Sequence, residues 1–284
     1  MPSDYDDLHE AAVRPHLTTA WLGRRYHYVP EIGSTNSELK AWVDAGTEEE
    51  PPAGTVLLTD YQSAGRGRLG RRWEAPPGSS LLFSVLFRPG WTAARAGWLT
   101  MLAGLAVAEA VAAIAGVTVG LKWPNDVMAW VDGGWRKLGG LLVDAQLADD
   151  RLTYAILGVG INVNIPAEAL PAAVTPPTSL LLATGHPVPR RPLLLECLGR
   201  LEAHYDAAAG GRSPQADWNE RLITLGREVT VSSGAGTALV GVAETTDEAG
   251  SLIVRDASGM RHTVAAGDVT LRDRGAGGEE ANGR

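Results

Sequence analysis

Apolar residues fall in short blocks along the chain, and their spacing separates strands from helices. Residues 55–59 (TVLLT) and 80–87 (SLLFSVLF) are strand-like runs bounded by Gly, Pro and Asp. The second is apolar on both faces, so it is expected at the centre of a sheet. Three more runs, 117–123 (VTVGLKW), 138–146 (LGGLLVDAQ) and 154–164 (YAILGVGINVN), are separated by turn signals at Asp132-Gly133-Gly134 and Asp149-Asp150. They predict a mixed or antiparallel meander. Thr35-Asn36-Ser37-Glu38 has the form of a capping box, followed by Leu39, Trp42 and Val43 at helical spacing and by Gly46 as a stop. A short helix should therefore begin at Ser34 or Thr35. A longer helix is predicted over 93–115, and Leu193, Leu194, Cys197, Leu198, Leu201 and Tyr205 recur at three and four, predicting an amphipathic helix that buries Cys197.

From Glu228 the pattern changes to short alternating stretches (VTV, ALVGV, SLIV, HTV, VTL) broken by Gly-containing turns, the signature of a small all-β module over 226–272. The larger α/β unit would then span 21–225. Residues 1–20 read as a flexible lead and 273–284 as a polar, Gly-rich tail with nothing to bury. The weakly polar run Ala96–Ala108 falls short of the roughly 20 residues that a bilayer span needs, and the acidic MPSDYDDLHE start is unlike a signal peptide. A cytoplasmic protein is expected. The lone Cys197 suits a reducing compartment and supports neither an intramolecular disulfide nor a cysteine-built zinc site. Twenty-five Lys and Arg against 33 Asp and Glu leave a formal charge of -8, which argues against broad DNA or anionic-membrane binding. Any basic cluster must be local.

One such cluster is Gly65-Arg66-Gly67-Arg68-Leu69-Gly70-Arg71-Arg72-Trp73, four arginines and three glycines in nine residues. Glycines let backbone approach an anion, and guanidinium groups bond phosphate or carboxylate in pairs. The sharp reading is a loop closing over a phosphorylated ligand; a solvated basic loop or RNA-contacting tract is the plain one. P-loop spacing is absent. Lys122-Trp123-Pro124-Asn125-Asp126 ends a strand in a turn, and Arg136-Lys137-Leu138-Gly139-Gly140 starts another with bare backbone beside a cation. Gly160, Asn162 and Asn164 alternate, hence share one strand face. No H-E-x-x-H or G-x-S-x-G pattern occurs and the histidines are scattered, so neither a tightly held metal nor a serine hydrolase is indicated.

Taken together and in order, GSTN (33–36), GRGRLGRRW (65–73), KWPND (122–126), RKLGG (136–140) and GVGINVN (158–164) closely resemble the biotin protein ligases, over about residues 21–272. The resemblance implies an α/β (α+β) catalytic domain on a mixed β-sheet with a small C-terminal SH3-like β-barrel domain. It implies biotin activation by ATP with Mg2+ to biotinyl-5'-AMP, then transfer to a lysine of the biotin carboxyl carrier domain of an acyl-CoA carboxylase. On this basis Ser34, Thr35, Asn36, Gln62, Arg66, Gly67, Arg68 and Lys137 would bind biotin. Arg71, Trp73, Asn125, Gly160 and Asn162 would meet the adenylate. Arg68 and Lys137 would neutralise the two anions brought together, Lys122 would help to fix the phosphates, and Asp126 would orient or deprotonate the acceptor lysine.

The chain departs from the family pattern in a few places: Asp144 stands where many relatives have Glu, and Leu69 and Met128 occupy variable positions. About 30 residues precede GSTN, too few for a helix-turn-helix domain, so a monofunctional enzyme without DNA binding is expected, as monomer or homodimer. A lipoate or octanoate protein ligase, and a protein that senses biotinyl-AMP without transferring it, are the alternatives.

Overall fold

The computed structural model describes residues 7–46, 50–232 and 238–271. Its elements are, in order, α1 (Glu10–Val13), β1 (Tyr26–Ile32), α2 (Thr35–Asp44), β2 (Val56–Gln62), β3 (Ser80–Phe87), α3 (Trp98–Ala115), β4 (Val119–Lys122), β5 (Asp126–Val131), β6 (Gly134–Ala148) and β7 (Arg151–Asn162). Then come α4 (Leu180–Thr184), α5 (Arg190–Ala209), α6 (Gln215–Arg221), and β8 (Glu228–Ser232), β9 (Leu239–Thr246), β10 (Leu252–Arg255), β11 (Arg261–Val264) and β12 (Asp268–Leu271).

Strands β1 to β7 form one mixed sheet in the order β1-β2-β3-β7-β6-β5-β4, in which only β1 and β2 are parallel, joined through α2. β3 is buried along its whole length, as its two apolar faces predicted. Side-chain alternation divides the sheet. Leu81, Phe83, Val85 and Phe87 of β3 with Ala155, Leu157, Val159 and Ile161 of β7 pack under α3 and α5, while Leu86, Tyr154 and Ile156 meet Leu39 and Val43 of α2 on the other face. Helix α3, apolar nearly all round, is mostly buried between sheet and α5, and Gly104 lets Trp218 of α6 come close: a Cβ there would lie 2.5 Å from the indole. Cys197 is buried in α5.

Strands β8 to β12 make the second, SH3-like unit, an antiparallel sheet in the order β11-β10-β9-β8-β12. Its 247–251 turn docks on the larger unit, where Trp98 Nε1 donates to Glu248 O at 2.7 Å and Trp123 Nε1 to Gly250 O at 2.9 Å.

Residues 7–20 are not a loose lead. Leu8, Val13 and Leu17 are buried in the core, and the Glu202 carboxylate of α5 accepts the backbone N–H groups of Ala20, Trp21 and Leu22 at 2.6, 2.9 and 2.8 Å. Three apolar side chains too sparse to show a period thus fix the segment. The tail 273–284 and residues 1–6 lie outside the described residues.

Candidate active site

On the α2 face, β3, β6 and β7 place small and polar residues side by side. Ser80, Leu82 and Ser84 stand opposite Asn162, Gly160 and Gly158, and Gly160 and Gly158 in turn face Gly140 and Leu142 of β6. The first turn of α2 lies over this patch. Ser34 is its N-cap, accepting from Ser37 N at 3.5 Å, so the T-x-x-E capping box does not form on Thr35. The Thr35 hydroxyl is used elsewhere. Its N–H and Oγ1 meet Gln62 Oε1 at 2.8 and 3.2 Å, and Ser84 Oγ lies 2.7 Å from Thr35 Oγ1 and 2.6 Å from Asn36 Oδ1. Asn36 Nδ2 donates to Leu142 O at 3.3 Å and Asp144 Oδ2 at 3.0 Å. Gly158 is required here, because a Cβ would stand 2.2 Å from Asn36 Oδ1.

The arginine-rich stretch is an ordered small hairpin. Arg66 bridges Arg72, Gly67 N donates to Arg71 O at 2.7 Å and Trp73 N to Gly65 O at 3.0 Å, with the turn made by Leu69 and Gly70 at φ 54° and 73°. Arg66 pairs with both Asp144 oxygens, at 2.9 and 3.2 Å. Arg68 Nη1 reaches Asn125 Oδ1 at 3.2 Å and Gly267 O at 3.4 Å, while Arg71 pairs with Asp268 of β12.

Cations gather at the turn after β4, where the Trp123–Pro124 peptide is cis. Lys137 Nζ lies 2.6 Å from Asp126 Oδ1, and Lys122 Nζ donates to Thr175 Oγ1 at 3.1 Å. Burial and then the neighbouring Lys137 push the Lys122 ammonium below the ordinary lysine range, partly offset by Asp126 and Asp268. Burial likewise works against the Arg68 charge, with Asp268 and Asp126 opposing it. Arg68 and Lys137 therefore flank the same two-residue turn, Asn125-Asp126, although they come from separate segments. A cavity of about 210 Å³ beside Arg68 and Asn125 extends toward Gly250 and Ala265 of the small unit.

Between the two clusters the Trp73 indole lies on bare backbone: a Cβ on Gly160 would be 2.9 Å from it, and one on Gly140 3.5 Å from Trp73 and 3.9 Å from Lys137 Nζ. Trp73 Nε1 and Ser80 Oγ, both on this face, are buried without a hydrogen-bond partner. Unpaired buried polar atoms on a polar sheet face are what a bound polar ligand would satisfy. Asn162 is engaged, its Nδ2 donating to Thr178 O at 2.9 Å.

The structure thus brings Ser34, Thr35, Asn36, Gln62 and Arg66 to one end and Arg68, Lys122, Asn125, Asp126 and Lys137 to the other, with Trp73 and Gly160 between. Arg71 turns instead to the small unit. Ser84, Thr175, Gly267 and Asp268 were not read from the sequence. Ser84 had a signal, as a hydroxyl inside an apolar central strand; the others are remote in sequence and had none.

This architecture is that of the biotin and lipoate protein ligases. The profile of the Biotin/lipoate A/B protein ligase family matches residues 32–162, and that of the Biotin protein ligase C terminal domain matches 224–272. The biotin--[acetyl-CoA-carboxylase] ligase of Mycobacterium tuberculosis is 37% identical over 270 residues, covering 92% of this chain and 95% of that protein. Its counterpart from Paracoccus denitrificans is 31% identical over 220 residues, 75% and 88% of the two chains. Among solved structures, the Aquifex aeolicus biotin protein ligase in complex with biotin and ATP superposes with a TM-score of 0.68 at 29% identity, covering 88% of this chain and 99% of that one. The chain belongs to the biotin protein ligase family, and it is an enzyme of that kind.

Proposed function

We propose that this ligase joins biotin to ATP as biotinyl-5'-AMP, releasing pyrophosphate, and then passes the biotinyl group to a lysine of a biotin carboxyl carrier domain. The observation that carries this reading is the convergence of Arg68, Lys122 and Lys137 on the Asn125-Asp126 turn, at one end of a face whose other end is the Ser34–Asn36 helix start. In the first step a carboxylate oxygen attacks the α-phosphorus and pyrophosphate leaves. Both partners are anionic, so cations held at fixed positions lower the barrier by neutralising repulsion and the charge that develops. Ser34, Thr35, Gln62 and Arg66 would hold the ureido end, and Trp73 with Gly160 would form the wall along which the mixed anhydride lies. Magnesium would travel with the nucleotide phosphates.

In the second step the acceptor amine attacks the acyl carbon, AMP leaves, and the ammonium proton must go to a base. Asp126 would serve as that base, and its carboxylate is paired with Lys137. Were Lys137 drawn to the acyl-phosphate, that carboxylate would become available. Mass spectrometry of the purified chain with biotin, MgATP and a carrier domain tests the proposal: one biotin added to the carrier lysine is expected, and no gain, with no biotin-dependent exchange of pyrophosphate into ATP, would refute it.

A further inference from the structure

We propose that Asp144 is the positioning residue of the arginine hairpin: by gripping Arg66 and Asn36 together it holds residues 65–73 closed over the biotin end and so retains the activated acid. This rests on the biotin-activating reading above. Trp73 apart, which packs on Gly160, the hairpin buries little of its own, with Leu69 69% exposed at its tip, so the place of residues 66–72 is set by what grips them. At the tip the grips are Arg68 on Asn125 and Gly267, and Arg71 on Asp268. At the base the guanidinium of Arg66 lies against both Asp144 oxygens, a two-bond geometry that fixes direction as well as distance.

Asp144 also accepts from Asn36, and from there hydrogen bonds run through Ser84 to Thr35 and on to Gln62. The two ends of that chain, Gln62 and Arg66, are the two sides of the point where β2 passes into the hairpin. One carboxylate therefore locks the start of α2 and the hairpin base into a single register. It does so away from the reacting groups. Asp144 is four residues along β6 from Gly140, which touches Trp73 and Lys137, and at the usual strand rise that is about 13 Å. With Arg66 half-exposed, the pair contributes little to folding stability. Its effect should appear in ligand retention instead.

The test uses the full chain with Asp144→Asn, Asp144→Glu and Arg66→Ala. Without a carrier, Asp144→Asn should raise the biotin KM and the rate at which biotinyl-AMP escapes into solution by about tenfold each, while kcat for biotin-dependent pyrophosphate exchange falls by less than about threefold. Arg66→Ala should show at least that escape, and the double variant no more than Arg66→Ala alone. Asp144→Glu, which keeps the charge, should recover most of the retention. Unchanged KM and escape in Asp144→Asn would overturn the assignment, as would a parallel fall of kcat, retention and melting temperature. Absence of exchange in the unsubstituted protein would instead overturn the activity on which it rests.

Discussion

Asp126 has two candidate uses, as partner of Lys137 and as acceptor of the amine proton, and the two can be separated by step. Asp126→Asn should cut transfer to the carrier by about 10²-fold or more while slowing biotinyl-AMP formation much less; single-turnover measurements of each step check this, and equal losses would reject the base role. Lys122 carries a pH consequence. Because burial lowers its pKa, its charge is lost, as pH rises, earlier than that of an ordinary lysine. If it helps to hold the phosphates, KM for MgATP should rise in the alkaline range below the usual lysine pKa, and Lys122→Arg should move that rise to higher pH. A flat KM profile across that range would remove Lys122 from the phosphate site.

Individual elements show where the sequence was legible. The run 80–87 is β3 to the residue, since a strand apolar on both faces has one place to go. β5 was missed because its first residue, Asp126, belongs to a Pro-Asn-Asp turn signal and Asp132-Gly133 follows its end, leaving five residues between. β1 was missed as well: Pro30 and Glu31 disguise it, and both are tolerated because it is an edge strand. The arginine hairpin and the KWPND turn stood out by composition. Their acidic partners Asp144 and Asp268 did not, since single carboxylates some 70 to 200 positions away leave no local pattern. The same holds for Glu202, one buried residue of α5 that fixes the chain before β1. Burial opposes its ionisation, but three backbone N–H donors more than compensate, so its pKa lies below the ordinary range. The stabilisation is therefore present above the unfolded pKa of about 4.3 and is lost as pH falls through the lower folded value. Glu202→Gln should lose about 2 kcal/mol at pH 7, some 4–8 °C in Tm, with the gap to the parent narrowing below about pH 4. A gap independent of pH would show that shape, not charge, fixes the segment.

For the whole molecule, the two units meet at the site rather than behind it. The small unit contacts Trp123 and the arginine hairpin, and Trp123 directly precedes the Pro-Asn-Asp turn that carries the cation cluster. Trp123→Phe, which removes the bond to Gly250 O and little volume, should cost about 1–2 kcal/mol by thermal melting and should also slow pyrophosphate exchange. Loss of stability with unchanged kinetics would mean that the contact only holds the units together.

Lys137 and Arg71 are each paired with a carboxylate, Asp126 and Asp268. An arriving anion that recruits one of these cations therefore enters by exchange, displacing an internal counter-charge instead of meeting a bare one. Such a trade discards part of the Coulombic gain, so ATP affinity should weaken with ionic strength less steeply than Arg68, Arg71, Lys122 and Lys137 would suggest on a naked surface. On the proposed reaction it would also leave a newly freed carboxylate beside the nucleotide, within reach of an incoming ammonium group.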